Sequence, residues 1–157
     1  MTKIKYLILF CAVLGVAACK KDVSYDEEAQ FAADTAAIRA FISANNIPAV
    51  AQGNSGVYYQ IYDVGSGNVT YSGDTQVTVE YEGRLLNGQV FDNSNGTPRM
   101  FTLGGLIPGW QIGIPLIQPG GRIRLIVPSY LGYGFQDKNG IPANSILDFT
   151  IELKAAQ

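Results

Sequence analysis

The chain has 157 residues, of which 47% are apolar and 15% charged, a composition that supports one hydrophobic core and excludes a highly charged disordered polymer. A formal net charge of −2 provides no basic surface for DNA or RNA, so no nucleic-acid partner is expected. There is no histidine, and both cysteines lie within the first nineteen residues. The rest of the chain therefore has no histidine-based catalytic pair, no thiol nucleophile and no Cys/His metal site, and neither a metal nor a cofactor is predicted.

The N-terminal eighteen residues are typical of an export signal. Two lysines precede an apolar run from Tyr6 to Val16, which is short for a membrane span and has the length of a signal-peptide core. The run ends at Val16-Ala17-Ala18-Cys19, which resembles the lipobox of bacterial lipoproteins, where the cysteine is acylated and becomes the mature N-terminus. This resemblance implies a lipoprotein signal peptide over residues 1–18 and membrane attachment through Cys19 in the bacterial cell envelope. The alternative is an ordinary secretory cleavage site that leaves Cys19 unmodified.

The next segment is predicted to form one helix, from about Tyr25 to Asn45. Ser24 and Glu27 have the spacing of a capping box, and apolar residues then recur at helical spacing from Phe31 to Ile42. Asn45-Asn46-Ile47-Pro48 ends the helix, and residues 49–55 are interpreted as a linker. The apolar stripe of the helix either docks on the following domain or forms a dimer seam, and the sequence does not decide between them.

From Gly56 onward the apolar period changes to two, and the many glycines and tyrosines favour a turn-rich β-sheet. Asn87-Gly88 is a strong turn signal within this region. A short helix that carries the only tryptophan, Trp110, is predicted between two prolines over residues 106–114. The predicted fold class is α+β, an antiparallel sheet wrapped around one short helix, with an extra N-terminal helix. The predicted strands are Val57 to Tyr62, Gln76 to Leu85, Val90 to Asp92, Arg122 to Val127 and Ile146 to Leu153.

Several short motifs resemble FK506-binding-type (FKBP-type) peptidyl-prolyl cis-trans isomerases, in order and at similar spacing, from about Gly73 to Lys154. They are Val79-Glu80-Tyr81-Glu82-Gly83, Gly88-Gln89-Val90-Phe91-Asp92-Asn93-Ser94, Ile107-Pro108-Gly109-Trp110, Gly120-Gly121-Arg122, Pro128 to Gly134, and Ile141 to Leu153. The resemblance implies a curved, FKBP-like antiparallel sheet and an isomerase domain over residues 56–157. The preceding helix and linker, with the lipid-anchored cysteine in residues 19–55, resemble the extension of the envelope lipoprotein members of this family.

The same resemblance implies an apolar pocket that holds proline, with Trp110 as its floor. It assigns two hydrogen-bond donors to the carbonyls of the substrate, the Ile107 N–H and the Tyr133 hydroxyl. Its expected ligands are proline-containing polypeptide clients and, with uncertain affinity, FK506-like macrolides. The residues implied in catalysis are Tyr81, Phe91, Asp92, Trp110, Tyr133 and Phe149, and those implied in substrate binding are Phe101, Leu106, Ile107 and Ile141.

The chain also departs from the family pattern. Arg99 stands where many members have a further aromatic residue, which predicts a more open and cationic pocket wall, and Ala143 replaces the second proline of the usual Ile-Pro-Pro. Without the resemblance, the aromatic residues would be interpreted as core packing, and Asp92 as a lone carboxylate that supports the site rather than a catalytic acid. A binding module or holdase that docks proline-containing segments with little turnover remains the main alternative function.

Overall fold

The computed structural model describes residues 25–157, so the predicted signal peptide, Cys19 and Ser24 lie outside the described residues. The first element is helix α1, Glu27–Ala44. Its N-cap is Asp26, whose carboxylate accepts a hydrogen bond from the Ala29 N–H at 3.0 Å. The predicted capping box is therefore wrong: the helix begins after Asp26, and the carboxylates of the first helical turn favour this start through the helix dipole.

The described residues form one sheet of seven antiparallel strands. The strands are β1 Val50–Ala51, β2 Tyr58–Asp63, β3 Gln76–Leu85, β4 Val90–Asn93, β5 Arg99–Thr102, β6 Arg122–Val127 and β7 Leu147–Ala156. Their order is β1-β2-β6-β7-β3-β4, with β5 paired to β3. The four predicted strands and the return after the Asn87-Gly88 turn are all present. The bounds of β3 and β6 are those predicted, whereas β2, β4 and β7 have shifted ends. The two-residue strand β1 and the strand β5 were not predicted, because neither has enough residues to show a period of two.

The short predicted helix is α2, Pro108–Gly113, and it packs against β6 on one face of the sheet. Proline at the first helical turn loses no hydrogen bond there, since those N–H groups have no helical partner. Two glycines allow the close packing: a Cβ at Gly109 would lie 2.4 Å from Val127, and a Cβ at Gly113 would lie 2.3 Å from Leu125. The hydrophobic core is formed between α2 and the alternate, inward-facing residues of β3, β6 and β7.

Helix α1 packs on the opposite face of the sheet. Ile38 is fully buried, and the Arg124 guanidinium carbon lies 5.9 Å from the centre of the Phe41 ring. Arg124 points away from α2, because its neighbours on β6, Ile123 and Leu125, belong to the core. Of the two interpretations of the apolar stripe, docking on the same chain is the one that the structure shows. No helix within residues 25–157 combines the length and apolarity needed to cross a membrane.

Candidate active site

A small cavity of about 120 Å³ opens on the face of the sheet that carries α2. Strand β3 brings Tyr81 to it, β7 brings Phe149, and α2 brings Trp110. Eight of the ten residues implied in the pocket by the sequence are therefore gathered around one cavity. Its lining is Tyr81, Asp92, Phe101, Leu106, Ile107, Trp110, Tyr133 and Phe149.

The other two implied residues lie beside the cavity. Phe91 packs edge-on against Phe149, with ring centres 5.5 Å apart at 88°. Ile141 is buried in the core and is also part of the turn over residues 137–142, where its N–H and carbonyl both pair with Lys138. Their side chains therefore support the lining rather than form it.

Trp110 is the centre of an aromatic cluster at the bottom of the cavity, and only 4% of its surface is exposed. Its ring meets three others edge to face: Tyr81 at 5.1 Å, Phe149 at 5.2 Å, and Phe101 at 6.4 Å. This geometry is the favoured one for aromatic pairs, and it fixes the rings relative to one another. Among the described residues, the buried Trp110 Nε1 has no hydrogen-bond partner. The floor, defined here as Trp110 with Phe149, is therefore rigid and, apart from the Trp110 N–H, apolar.

The rim of the cavity, in contrast, is a short polar chain of Arg99, Tyr81 and Asp92. The Tyr81 hydroxyl donates to Asp92 Oδ2 at 2.7 Å and accepts from Arg99 Nη1 at 3.1 Å. Arg99 Nη1 also lies 3.9 Å from Asp92 Oδ1, and the guanidinium carbon is 5.7 Å from the centre of the Tyr81 ring. The sequence predicted a cationic wall at Arg99 but not that the guanidinium would bind Tyr81.

Both tyrosine hydroxyls of the cavity are held in the protonated form. Burial, followed by the hydrogen bond and the charge of Asp92, raises the pKa of Tyr81 to about 12, while Arg99 opposes the rise. Burial, and then the Asp92 charge, also raises the pKa of Tyr133 above its usual range. The Tyr133 hydroxyl, like any tyrosine hydroxyl at neutral pH, keeps its proton, and the raised pKa extends this to more alkaline pH.

The second donor implied by the sequence, the Ile107 N–H, lies where α2 begins. Ile107 is the N-cap of α2, and its carbonyl accepts from the Trp110 and Gln111 N–H groups at 2.9 and 3.3 Å. No acceptor within the described residues binds its own N–H. Ile107 lines the cavity, so its N–H is a candidate donor for a carbonyl group bound there.

Two positions that shape the surroundings of the cavity were missed by sequence reasoning. A Cβ at Gly83, in the middle of β3, would lie 2.6 Å from the Phe91 ring and 2.8 Å from the Phe149 ring, so the missing side chain makes room for both aromatics. A glycine inside a strand pattern is a signal for such a close approach. Ser129 is the second, and its contacts join residues too far apart in the chain for any local signal. No group of His, Cys, Asp and Glu able to hold a metal is found in the described part of the chain.

The fold and the cavity define the class of protein, and comparison with known proteins agrees with it. A family model described as FKBP-type peptidyl-prolyl cis-trans isomerase matches residues 67–154, and the chain belongs to this family.

Individual relatives are similar over longer stretches. The chain is 43% identical over 106 residues to the FKBP-type peptidyl-prolyl cis-trans isomerase FkpA of Escherichia coli K12, a match that covers 66% of this chain and 39% of that protein. It is 41% identical over 119 residues to the peptidyl-prolyl cis-trans isomerase Mip of Coxiella burnetii, covering 73% of this chain and 51% of that protein. The chain thus spans between about two-fifths and one-half of the length of these curated relatives.

Solved structures give the same fold. The crystal structure of FkpA from Escherichia coli superposes with a TM-score of 0.69 at 34% identity, over 83% of this chain and 64% of that one. A peptidyl-prolyl cis-trans isomerase from Pseudomonas syringae pv. tomato superposes with a TM-score of 0.68 at 29% identity, over 85% of this chain and 98% of that one. The prediction of an FKBP-like antiparallel sheet around one short helix is confirmed.

Proposed function

We propose that this protein is a peptidyl-prolyl cis-trans isomerase that accelerates rotation about X-Pro bonds in exported and envelope polypeptides. The observation that carries the proposal is the cavity itself, in which a tryptophan floor is combined with donors at Ile107 and Tyr133. Membership of the family and the similarity to FkpA and Mip support it. No acid–base pair is required, which agrees with a sequence that has no histidine.

The reaction is slow in water because resonance keeps the amide planar, with a barrier of about 18–20 kcal/mol to rotation. The planar amide is more dipolar than the twisted one, so transfer into an apolar cavity raises the free energy of the ground state more than that of the transition state. The aromatic floor supplies this dry environment for the proline ring. Each reduction of the barrier by about 1.4 kcal/mol increases the rate tenfold.

The residues of the site divide into three roles in this mechanism. Trp110 and Phe149 form the dry surface under the proline ring, with Tyr81, Phe101 and Leu106 as the adjoining walls. The Tyr133 hydroxyl and the Ile107 N–H replace the water molecules that the substrate carbonyls lose, and they hold the peptide with the X-Pro bond twisted. Phe91 and Ile141 keep the lining in place from behind, and Asp92 orients the Tyr81 hydroxyl.

For the whole protein, we propose a lipoprotein in which residues 1–18 are the signal peptide and Cys19 carries the lipid. Residues 19–55 then connect the membrane to the isomerase domain over residues 56–157. Its clients are proline-containing polypeptides that fold near the envelope membrane, and an FK506-like macrolide would occupy the same cavity. The export signal and lipobox motif of the sequence support both the anchor and the envelope compartment.

Arg99 favours one alternative, a module or holdase that binds proline-containing segments with little turnover. Its guanidinium occupies the rim at the position where many members of the family have an aromatic side chain, and it is available to bind an acidic client. Tight, lasting binding of such a peptide without acceleration of the bond rotation would support this alternative.

The proposal is tested by the rate of cis-to-trans relaxation of a short Leu-Pro peptide in the presence of the full chain in mild detergent. The parent is expected to accelerate relaxation, and Phe101→Ala, which opens a wall of the cavity at its edge strand, is expected to lower kcat/KM by about tenfold. Tyr62→Ala is the matched control, because it removes an exposed aromatic from the distant strand β2. A folded parent that gives no acceleration would refute the isomerase proposal and favour the binding module.

A further inference from the structure

Helix α1 lies outside residues 67–154, which match the family model, yet it reaches a residue that organises the cavity wall. Asp34, in the middle of α1, is only 2% exposed. Its Oδ2 accepts two hydrogen bonds from Ser129, one from the backbone N–H at 2.8 Å and one from the hydroxyl at 2.6 Å. Gln30 Nε2 donates to the other oxygen at 2.7 Å. The buried carboxylate therefore has three donors, as burial of such a group requires.

Ser129 connects Asp34 to the segment that carries Tyr133. It begins the 3₁₀ turn Ser129–Leu131, which follows β6, and it is completely buried. Its carbonyl accepts hydrogen bonds from the Gly132 N–H at 2.9 Å and from the Gly134 N–H at 2.8 Å. These two amides lie directly before and after Tyr133. Asp34 thus accepts hydrogen bonds from the N–H and hydroxyl of Ser129, while the carbonyl of Ser129 accepts hydrogen bonds from the two glycines that flank Tyr133.

Further contacts keep α1 against this segment. The Phe31 ring of α1 meets the Tyr130 ring edge to face, with centres 5.5 Å apart. The Tyr130 hydroxyl in turn donates to the carbonyl of Ser55, which lies before β2. These aromatic contacts are at the surface and are adjustable, whereas the Asp34 hydrogen bonds are buried and directional. Asp34 is consequently the residue through which α1 fixes the position of the turn.

We propose that Asp34 is a positioning residue that, from helix α1, holds the segment over residues 129–134 so that Tyr133 stays in the wall of the cavity. Asp34 does not touch the substrate and acts through Ser129. Its effect on isomerisation rests on the proposed function, whereas its effect on the geometry of the segment does not. Movement of α1 would in this way be transmitted to the cavity through one buried carboxylate.

The experiment compares Asp34→Ala with Ile38→Ala in the full chain in mild detergent. Ile38 is the matched control, since it lies one turn away on α1 and is fully buried. Its side chain cannot form hydrogen bonds, so its removal leaves the hydrogen bonds of Ser129 in place. Amide hydrogen exchange of Gly132 and Gly134 is measured relative to the amides of β6, and kcat/KM is measured with the Leu-Pro peptide. Asp34→Ala is expected to speed exchange at the two glycines by about tenfold and to lower kcat/KM severalfold, because Ser129 loses its partner.

Ile38→Ala is expected to lower overall stability without a selective change at Gly132 and Gly134. Asp34→Asn keeps the shape and an acceptor oxygen but loses the charge, so it is expected to restore most of the protection. If the alanine variant does not fold, Asp34→Leu takes its place, because leucine fills the buried space but has no acceptor for Ser129. Unchanged relative exchange at the two glycines in the folded alanine or leucine variant overturns the proposal. If the parent does not isomerise the peptide but the exchange result holds, the proposed function fails while the positioning role stands.

Discussion

The floor and the rim are neighbouring parts of one cavity, but different interactions hold them together: aromatic packing in the floor, and hydrogen bonds and charge in the rim. Trp110 and Phe149 of the floor are 4% and 3% exposed and meet edge to face. The side chains of Asp92 and Arg99 at the rim are 50% and 44% exposed, and each forms a hydrogen bond with the Tyr81 hydroxyl between them. Substitution in a packed floor should reduce stability and activity together, because rigid rings cannot adapt. Substitution at a hydrated rim should change peptide preference while leaving the fold intact.

The largest expected effect is that of Gly83→Ala, which pushes a methyl group into the back of the floor. The added Cβ would lie 2.6 Å from the Phe91 ring and 2.8 Å from the Phe149 ring, and both rings are already fixed against each other. We expect a loss of about 1–3 kcal/mol in the free energy of unfolding, as is typical of overpacking. Activity toward the Leu-Pro peptide should fall by about tenfold or more, because Phe149 is displaced from the cavity lining. Chemical denaturation and peptide relaxation measure the two effects.

Gly105→Ala is the matched control for this substitution. Gly105 lies in the 3₁₀ turn just before the cavity residues Leu106 and Ile107, and nothing lies within 4 Å of an added Cβ. It should leave both stability and rate nearly unchanged. Parental stability and rate in Gly83→Ala would contradict a rigid floor and would remove the contrast with the rim.

A second prediction uses pH to separate the rim from the rest of the molecule. The pKa of Tyr81 is about 12 in the folded protein, against an ordinary value of 10.0, so the folded state holds this proton more tightly than the unfolded state. The stabilisation is therefore fully present below pH 10.0 and is lost as the pH rises from 10.0 to about 12. The free energy of unfolding should fall with pH across this window.

Comparison of Tyr81→Phe with the parent isolates this contribution. The pKa values of Tyr71, Tyr130 and Tyr133 are also raised, but these tyrosines are present in both proteins, so their effects on stability cancel in the difference. Below pH 10.0 the variant should be less stable by about 1 kcal/mol, since the hydrogen bond to Asp92 is lost. The difference should shrink toward pH 12 in urea unfolding curves. A difference independent of pH would mean that the hydroxyl is not held protonated by the rim.

The residues of the floor and of the rim could be predicted from the sequence, but the hydrogen bond that joins Arg99 to Tyr81 at the rim could not. Trp110 and Phe149 lie in motifs of consecutive residues that a family resemblance can align. The hydrogen bond between Arg99 and Tyr81 instead depends on the register of two strands, in which Arg99 pairs with Val79, and β5 is too short to predict. The bond between Asp34 and Ser129 joins residues 95 positions apart and has no sequence signal at all. Docking of α1 was one of two open interpretations, because its contacts likewise join residues that are far apart in the sequence.

The smallest expected effect is that of Arg99→Gln, which can keep a donor to Tyr81 but removes the positive charge from the rim. Stability should change by no more than about 0.5 kcal/mol, since the side chain is half exposed. The ratio of kcat/KM for a Glu-Pro peptide to that for a Leu-Pro peptide should fall about two- to threefold, because the acidic residue loses a nearby cation.

Salt and a matched substitution decide whether this change comes from charge at the cavity. In the parent, high salt should lower the same peptide ratio, since it shortens the range of the Arg99 charge, whereas in Arg99→Gln the ratio should respond less. Arg84→Gln is the control, because Arg84 has a similar exposure of 45% and pairs with Glu82 outside the lining of the cavity. If Arg84→Gln changes the ratio as much as Arg99→Gln does, the preference reflects the overall charge of the protein, and the rim does not select clients.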